Sequence, residues 1–257
     1  MKPLERLDAR AVEYVLLDID DTLTTHGKLG AEAYAALEAL QRAGKKLVPV
    51  TGRPAGWCDH IARMWPVEAV VGENGAFYFW FAGGKLGKRF IDDGATRAAK
   101  RLRLEAIREA ILREVPGAAV ASDQPYRETD LAIDFCEDVA PALPLAAAEQ
   151  IAGLMRAAGL TAKVSSIHVN GWFGDYDKLA TVRLLFAERF GVDLDAVNRR
   201  SVFAGDSPND APMFAFFEQS VGVANVRRFP GLAPKFVTRA EAGAGFAELA
   251  AHLMRKP

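Results

Sequence analysis

Short, largely apolar segments alternate with amphipathic stretches along this chain at intervals of about 30 residues, and no other feature restricts its fold more. The apolar runs at 13–18, 46–51 and 67–71 are typical of strands covered on both faces, although Pro49 counts against a fully paired central strand. The residues between these runs have the spacing of helices with one apolar face. Strands and helices in this order predict a parallel sheet built from βαβ units.

The pattern changes in the middle of the chain and then returns. A run at 130–135 alternates apolar with polar residues, which indicates an antiparallel sheet with one solvated or ligand-facing side. The predicted fold class is therefore α/β, with a Rossmann-like core and parallel sheet at 1–82 and 174–257 and an inserted α+β domain at 83–173. The other predicted elements are a hairpin around Gly83-Gly84, helices at 95–114, 142–158, 177–190, 211–217 and 241–254, and strands at 118–121, 201–205, 220–223 and within 161–173.

The composition excludes several classes of protein. The 257 residues include 32 Lys plus Arg and 33 Asp plus Glu, and a net charge of −1 offers nucleic acid no long-range attraction. No apolar stretch approaches the roughly 20 residues that cross a bilayer, and the first eight residues lack the apolar core of a secretory signal. We therefore expect a cytoplasmic monomer or small homo-oligomer with no nucleic-acid or membrane partner.

A first group of acids follows the first predicted strand directly. Asp18 and Asp20 are two apart in an extended segment, so their carboxylates can converge on one side. With 33 acids in the chain, an acid-x-acid triplet is expected about four times by chance, so the triplet alone is weak evidence. Its position at the end of a buried strand is stronger evidence, because carboxylates are costly to desolvate there without a cation.

Thr51-Gly52-Arg53 follows the second predicted strand. The hydroxyl and the backbone N–H groups at this turn can bind an anion, although Thr51 could equally be a plain helix cap. Lys178 stands in the first turn of a predicted helix, outside its apolar stripe and against the helix dipole, although a solvated surface lysine also fits.

Asp206, Asn209 and Asp210 follow the strand predicted at 201–205, although an ordinary turn would also account for them. All four sites lie near the carboxyl ends of predicted core strands, where open parallel sheets bind ligands. Thr51 and Lys178 are 127 residues apart, far more than one βαβ unit, so the insert leaves the core beside these sites. It is therefore expected to cover them as a lid.

Taken in order, these motifs resemble the haloacid dehalogenase-like superfamily. The motifs are Asp-x-Asp-x-Thr (Asp18, Asp20, Thr22), Thr-Gly-Arg (Thr51 to Arg53), Asp-Lys (Asp177, Lys178) and Gly-Asp-x-x-Asn-Asp (Gly205 to Asp210). Core and insert cover nearly the whole chain, and Asp21 stands where many members have glycine. The large insert and the segment Gly72–Ala76 are similar to subfamily IIB, which includes Cof-type, sucrose-phosphate and mannosyl-3-phosphoglycerate phosphatases. The resemblance implies a C2-type cap and a phosphatase acting on a small phosphorylated metabolite, with sugar phosphates as the expected class.

The resemblance also implies a role for each motif residue. Asp18 would be the nucleophile that forms an aspartyl-phosphate, and Asp20 would act as general acid and base. Mg²⁺ would be the cofactor, bound by Asp18, Asp206 and the backbone carbonyl of Asp20, with Asp210 orienting Lys178 or water at the metal. The residues expected to hold the phosphoryl group are Thr51, Gly52, Arg53, Lys178 and Asn209.

Substrate choice is expected to depend on the insert, because the core contacts only phosphate. The candidates are polar residues that interrupt its strand patterns: Arg127, Glu128, Asp130, Ser165, Ser166, His168 and Asn170. His168 is not expected to bind a metal, since no second His or Cys has ligand spacing. Three alternatives remain open: a phosphomutase with the same chemistry, a phosphosugar-binding protein without turnover and, least supported, a phospho-acceptor receiver module.

Overall fold

The computed structural model describes residues 1–165 and 167–255. The strands are β1 (Lys2–Pro3), β2 (Tyr14–Leu17), β3 (Lys46–Pro49), β4 (Val70–Gly72), β5 (Phe77–Ala82), β6 (Lys85–Phe90), β7 (Ala119–Val120), β8 (Leu131–Asp134), β9 (Thr161–Val164), β10 (His168–Trp172), β11 (Ser201–Gly205), β12 (Gln219–Gly222) and β13 (Phe236–Val237). The α-helices are α1 (Ala31–Arg42), α2 (Ala55–Met64), α3 (Gly94–Glu114), α4 (Leu145–Ala157), α5 (Lys178–Leu185), α6 (Ala211–Phe216) and α7 (Ala242–Leu253). Among the described residues, no helix is both long enough and apolar enough to traverse a bilayer.

A six-stranded parallel sheet forms the core, in the order β1-β13-β12-β11-β2-β3. Every residue of β2 is buried, as a continuous apolar run requires in a sheet covered on both faces. Helices α1 and α7 pack on one face of the sheet, and α5 and α6 pack on the other. The predicted α/β fold with a parallel core sheet is confirmed.

Pro49 occupies the last position of β3, the strand at the end of the six-stranded ladder. β3 pairs with β2 along one side, and beyond its end an isolated bridge between Val50 and Val71 links the chain to β4. A residue without an N–H is tolerated in an edge strand because no neighbour needs that donor. The proline therefore fits the strand that the apolar run predicted.

A second sheet is antiparallel and has the order β4-β5-β6. Phe77 and Phe79 stack with their ring centroids 4.3 Å apart and are buried against α2, so this aromatic run packs the core. The turn between β5 and β6 uses Gly83 and Gly84, both at positive φ. The predicted boundary between 82 and 83 falls in this turn, and the division into 1–82 with 174–257 and 83–173 stays a prediction.

A third sheet, antiparallel in the order β7-β8-β10-β9, forms the inserted layer with α3 and α4. Residues 94–173 are called the cap below. The two helices bury one face of this sheet. Side chains from the opposite face line a cavity shared with the end of β2. The alternating run predicted at 130–135 contains β8, a strand of this antiparallel sheet, and all four residues of β8 are buried.

Several predicted elements differ in detail from those observed. The helix predicted at 177–190 ends as an α-helix at Leu185, and Phe186–Phe190 form a π-helical turn. Helix α4 begins three residues later than predicted, after Pro144, because a residue that precedes proline is disfavoured in helical conformation. β1 and β13 were not predicted, since strands of two residues are too short to show a period.

Candidate active site

The neighbouring strands β11, β2 and β3 end at the same edge of the core sheet. Asp18 directly follows β2, Thr51 lies two residues beyond β3, and Asp206 directly follows β11. The N–H of Asp18 donates to the carbonyl of Ala204 at 2.9 Å, which holds β2 and β11 level at this edge. Parallel strands thus bring three of the predicted site residues to one edge of the sheet.

Lys178 is buried between two carboxylates. It is the first residue of α5, and the side chain of Asp177 caps that helix by accepting the N–H of Ala180 at 2.7 Å. The Nζ of Lys178 lies 2.8 Å from Asp18 Oδ1 and 2.8 Å from Asp210 Oδ1. Burial alone would lower the pKa of Lys178, but the two carboxylates outweigh it and raise that pKa. A solvated surface lysine is therefore excluded for this position.

The turn after β11 fixes two acids. Asp210 Oδ2 accepts the N–H groups of Asp206 at 3.1 Å and of Ser207 at 3.5 Å, which leaves its Oδ1 for the ammonium described above. The Asp206 carboxylate accepts hydrogen bonds from Thr22 Oγ1 at 3.2 Å and from Asn225 Nδ2 at 3.1 Å. Asn225 was not predicted as a site residue. Its place just beyond the end of β12 was the available signal.

Asp18, Asp206 and Asp210 form a compact cluster, with one oxygen of each within 4.8 Å of the others. Desolvation is the largest cause that raises the pKa of Asp206 to about 9, and the Asp18 and Asp210 charges raise it further. Desolvation also raises the pKa of Asp18 to about 7, despite the opposing charge of Lys178. One ammonium thus faces three buried carboxylates. Crowded oxygen ligands with excess negative charge suit a hard divalent cation, so the cluster fits Mg²⁺.

Asp20 is held by Arg53. Arg53 Nε lies 3.1 and 3.0 Å from the two carboxylate oxygens of Asp20, and Nη2 lies 2.8 Å from Oδ1. The same guanidinium lies 3.6 Å from Asp123 Oδ2 and 3.4 Å from Glu137 Oε1, both in the cap, and 4.4 Å from the centre of the Trp57 ring. Arg53 therefore connects the predicted general acid to the cap.

The predicted phosphate loop is shaped by its own polar groups. Thr51 Oγ1 accepts the N–H of Arg53 at 3.0 Å, so the hydroxyl holds the loop and does not cap α2, whose N-cap is Pro54. As a hydroxyl can accept and donate at once, Thr51 keeps its proton for an anion. A Cβ at Gly52 would lie 3.2 Å from the amide of Asn74, a tight approach that glycine avoids.

Arg127 reaches from the cap to this loop. Its Nη1 donates to the carbonyl of Gly52 at 3.0 Å and lies 3.0 Å from both carboxylate oxygens of Asp130. Its Nε and Nη2 pair with Asp123 at 2.9 and 3.0 Å. Asn170 Nδ2 donates to Asp130 Oδ2 at 2.9 Å. Arg127 and Asn170 thus belong to a buried polar network, and their contact with a substrate stays a prediction.

A cavity separates the core edge from the polar face of the cap sheet. It is lined by Asp18, Asp20, Gly52, Arg53, Asn74, Ser207 and Asn209 from the core and by Arg127, Lys163, Ser165, Ile167, His168 and Asn170 from the cap. Five of the predicted substrate-binding residues outside the Thr-Gly-Arg motif therefore face one space: Arg127, Ser165, His168, Asn170 and Asn209. Ser166, which was also predicted, lies outside the described residues.

Two other predicted cap residues have partners of their own. His168 Nε2 lies 2.8 Å from Glu137 Oε2, outside hydrogen-bond geometry. This contact with His168 is the largest cause that lowers the pKa of Glu137 to about 2. Glu128 pairs with Arg101 at 3.2 Å on the exposed side of the cap, so its side chain does not line the cavity.

The buried carboxylate of Glu73, in the core, accepts hydrogen bonds from the cap. Glu73 Oε1 accepts the N–H groups of Ala55 and Glu128, each at 2.9 Å, and Oε2 accepts the N–H of Thr129 at 2.7 Å and its hydroxyl. Desolvation, followed by the charge of Asp130, raises the pKa of Glu73 to about 7. Glu73 was not predicted to be functional, and the Gly-Glu-Asn-Gly segment around it was the available signal.

A family model described as haloacid dehalogenase-like hydrolase matches residues 15–96 of the chain. No curated protein matches the sequence. The match covers β2 and the Thr-Gly-Arg loop, which carry Asp18, Asp20 and Thr51.

Solved structures share the fold of this chain over nearly its whole length. A Thermoplasma acidophilum protein shares 16% identity with a TM-score of 0.71, covering 94% of this chain and 98% of its own. The sucrose-phosphatase of Synechocystis sp. PCC6803, solved with sucrose and phosphate, shares 16% identity at 0.63, covering 95% and 98%. A sugar phosphatase of haloacid dehalogenase subclass IIB shares 14% identity at 0.63, covering 94% and 98%. The resemblance predicted from the motifs is confirmed: residues 15–96 are similar to haloacid dehalogenase-like hydrolases, and the chain shares its fold with capped phosphatases of that superfamily.

Proposed function

We propose that this protein is a Mg²⁺-dependent phosphatase that hydrolyses a small phosphorylated metabolite, of the sugar phosphate class, through an aspartyl-phosphate at Asp18. The observation that carries the proposal is the position of Lys178, whose ammonium lies 2.8 Å from both Asp18 and Asp210 within the carboxylate cluster. Structural acids would also need Lys178 as a counter-charge, but they would not need a third buried carboxylate beside it, since one ammonium cannot balance three negative charges. A divalent cation and a phosphoryl group would use the additional carboxylate and the Thr51 hydroxyl.

Asp18 is the nucleophile in this proposal. One of its oxygens is fixed by Lys178, which leaves the other to attack phosphorus. A new oxygen–phosphorus bond forms as the bond to the leaving oxygen breaks, and the phosphoryl group moves onto Asp18. The Thr51 hydroxyl and the Gly52 N–H are available to hold the phosphoryl oxygens as their charge shifts.

A carboxylate that approaches a phosphate dianion is repelled, so the cluster needs further positive charge. Asp18 and Asp206, with the backbone carbonyl of Asp20, would hold Mg²⁺, which when bound neutralises this repulsion. Asp210 holds Lys178 and the turn after β11, and therefore orients the site from behind. The raised pKa values of Asp18 and Asp206 support this role, because burial and mutual repulsion disfavour these charges without a cation.

Asp20 is proposed to move the protons of both steps. Its carboxyl group would give a proton to the leaving oxygen, and its carboxylate would then take a proton from the water that attacks the aspartyl-phosphate. The products are the free alcohol, inorganic phosphate and the original Asp18. Arg53, which holds Asp20 through both carboxylate oxygens, would keep this group beside the leaving atom.

The proposal is tested by release of inorganic phosphate from an aryl phosphate and from a panel of sugar phosphates, with Mg²⁺ or with chelator. We expect Mg²⁺-dependent release that Asp18→Asn abolishes while the exposed-site control Asp193→Asn retains it. Release in chelator at the rate seen with Mg²⁺ would contradict the metal role, and an active Asp18→Asn protein would contradict the nucleophile. Conversion of one sugar phosphate into its isomer without phosphate release would indicate a phosphomutase instead.

A further inference from the structure

The polar face of the cap sheet presents a regular row of side chains to the core. In β9, Ala162 packs against the cap helices and Val164 borders the same cluster, so Lys163 between them points to the opposite face. Lys163 pairs in register with Asn170 of β10, which lines the cavity. Side chains of directly opposed residues share one face of a sheet, so Lys163 faces the core edge together with Asn170.

The other polar side chains on this face contact groups within the protein. Thr161 Oγ1 donates to Gly174 O at 3.0 Å, and Ser165 Oγ donates to His168 O at 2.9 Å. Asn170 is bound to Asp130, and His168 lies against Glu137. The Asp134 carboxylate accepts the backbone N–H groups of Cys136, Glu137 and Asp138 at 2.8 to 2.9 Å.

Lys163 differs from these neighbours. Across residues 1–165 and 167–255, no carboxylate lies within 4.0 Å of its ammonium, and it makes no hydrogen bond or ring contact. The other cations of the cavity, Arg53 and Arg127, are each paired with acids. Lys163 is exposed at the cavity, and β9 contacts the turn that carries Asn209. Because Asp18 and Lys163 line the same cavity, a ligand whose phosphoryl group rests against Asp18 has its other end on the side of this ammonium.

From this placement we infer that the substrate carries a second anionic group, a carboxylate or a second phosphate, on the part that leaves, and that Lys163 binds it. The inference rests on the proposed function, because it assumes that the phosphoryl group is bound at Asp18. A lysine acts as a compact point charge without the planar fork of arginine, so both kinds of anion fit it. Sugar hydroxyls alone would leave this ammonium uncompensated when the cavity is filled.

Competition against hydrolysis of an aryl phosphate tests the inference with matched ligands. 6-Phosphogluconate and sorbitol 6-phosphate differ only in a carboxylate, and fructose 1,6-bisphosphate and fructose 6-phosphate differ only in a phosphate. We expect the doubly anionic member of at least one pair to bind about tenfold more tightly or better. Preference in the first pair alone identifies a carboxylate, and preference in the second alone identifies a phosphate.

The variants Lys163→Met, Lys163→Arg and Lys85→Met, the last an exposed lysine in the β5–β6 hairpin, separate this contact from general electrostatics. The preference should disappear in Lys163→Met, persist in part in Lys163→Arg and remain whole in Lys85→Met. Calorimetric binding to an Asp18→Asn protein, with and without Lys163→Met, gives the same comparison without turnover. Equal affinities within both pairs, or a preference unchanged in Lys163→Met, would overturn the inference. If the unmodified protein does not hydrolyse the aryl phosphate, the proposed function itself is overturned.

Discussion

Arg53 binds the carboxylate of Asp20 through three contacts of 2.8 to 3.1 Å, made by its Nε and Nη2 atoms. The fork of a guanidinium fixes a carboxylate in orientation as well as in position. Arg53 also touches Asp123 and Glu137 of the cap, so one side chain joins the proposed proton carrier to the layer above it. The position of Asp20 therefore depends on how the cap sits.

Replacing Arg53 should thus slow catalysis more than it weakens binding. We expect Arg53→Met to lower kcat about 10- to 100-fold, since correct positioning of a general acid contributes roughly 10²–10⁴-fold. Arg53→Lys should recover little, because an ammonium cannot hold both carboxylate oxygens in one plane. Steady-state kinetics on an aryl phosphate, with the exposed Arg63→Met on α2 as control, measure this. An unchanged kcat in Arg53→Met would contradict the positioning role.

Lys178→Met should abolish activity and also weaken the fold. The change leaves Asp18 and Asp210 buried without their cation, and breaking a buried ion pair from one side costs about 3–5 kcal/mol. Urea unfolding in chelator reports this loss, and the exposed Lys85→Met provides the baseline. Equal free energies of unfolding for Lys178→Met and Lys85→Met would show that the ammonium does not support the cluster.

The set of site residues at the edge of the core sheet was predictable, because it follows from the direction of the strands alone. Apolar runs predicted β2, β3 and β11, and parallel strands necessarily end at one edge, so Asp18, Thr51 and Asp206 had to meet there. The surplus of chain between Thr51 and Lys178 likewise predicted an inserted layer. These conclusions need the pattern of the chain and no side-chain geometry.

The contacts between the two layers were not predictable in the same way. Arg127 was expected to face a substrate, yet its guanidinium is occupied by Asp123, Asp130 and the Gly52 carbonyl. Which charged groups pair depends on side-chain conformations and on how the layers meet, and no period in the sequence records either. Glu73 was overlooked for the same reason, since its partners lie more than 50 positions along the chain in the cap.

Glu73 should make the stability of the protein depend on pH. A carboxyl whose folded pKa is raised from 4.5 to about 7 stabilises the fold below pH 4.5, and this contribution is lost as pH rises towards 7. Glu73→Gln cannot ionise, so the stability difference between the unmodified protein and the variant should be greater at pH 5 than at pH 8. The change in that difference should be at most about 3 kcal/mol.

Urea unfolding at the two pH values measures this difference, with the exposed Glu149→Gln on α4 as the matched control. A difference that is the same at pH 5 and pH 8 would contradict the raised pKa. We also expect Glu73→Gln to raise KM. The amide of the variant has one acceptor oxygen, so it cannot accept all the cap N–H groups that Glu73 accepts, and the cap that lines the cavity would be held less firmly.

Removal of one carboxylate from the cluster should separate metal binding from folding. Asp206→Asn relieves the crowding that raises the pKa of Asp18 and Asp206, so the variant should be at least as stable as the unmodified protein in chelator. The same change removes an oxygen ligand of full charge, so Mg²⁺ should no longer stabilise it. At 100 times its dissociation constant, Mg²⁺ should stabilise the unmodified protein by about 2.7 kcal/mol.

Thermal unfolding with chelator and with excess Mg²⁺ measures both the stability without the ion and the stabilisation by the ion. Asp193→Asn should behave as the unmodified protein does. A Mg²⁺-induced shift in Tm that survives undiminished in Asp206→Asn would place the ion elsewhere.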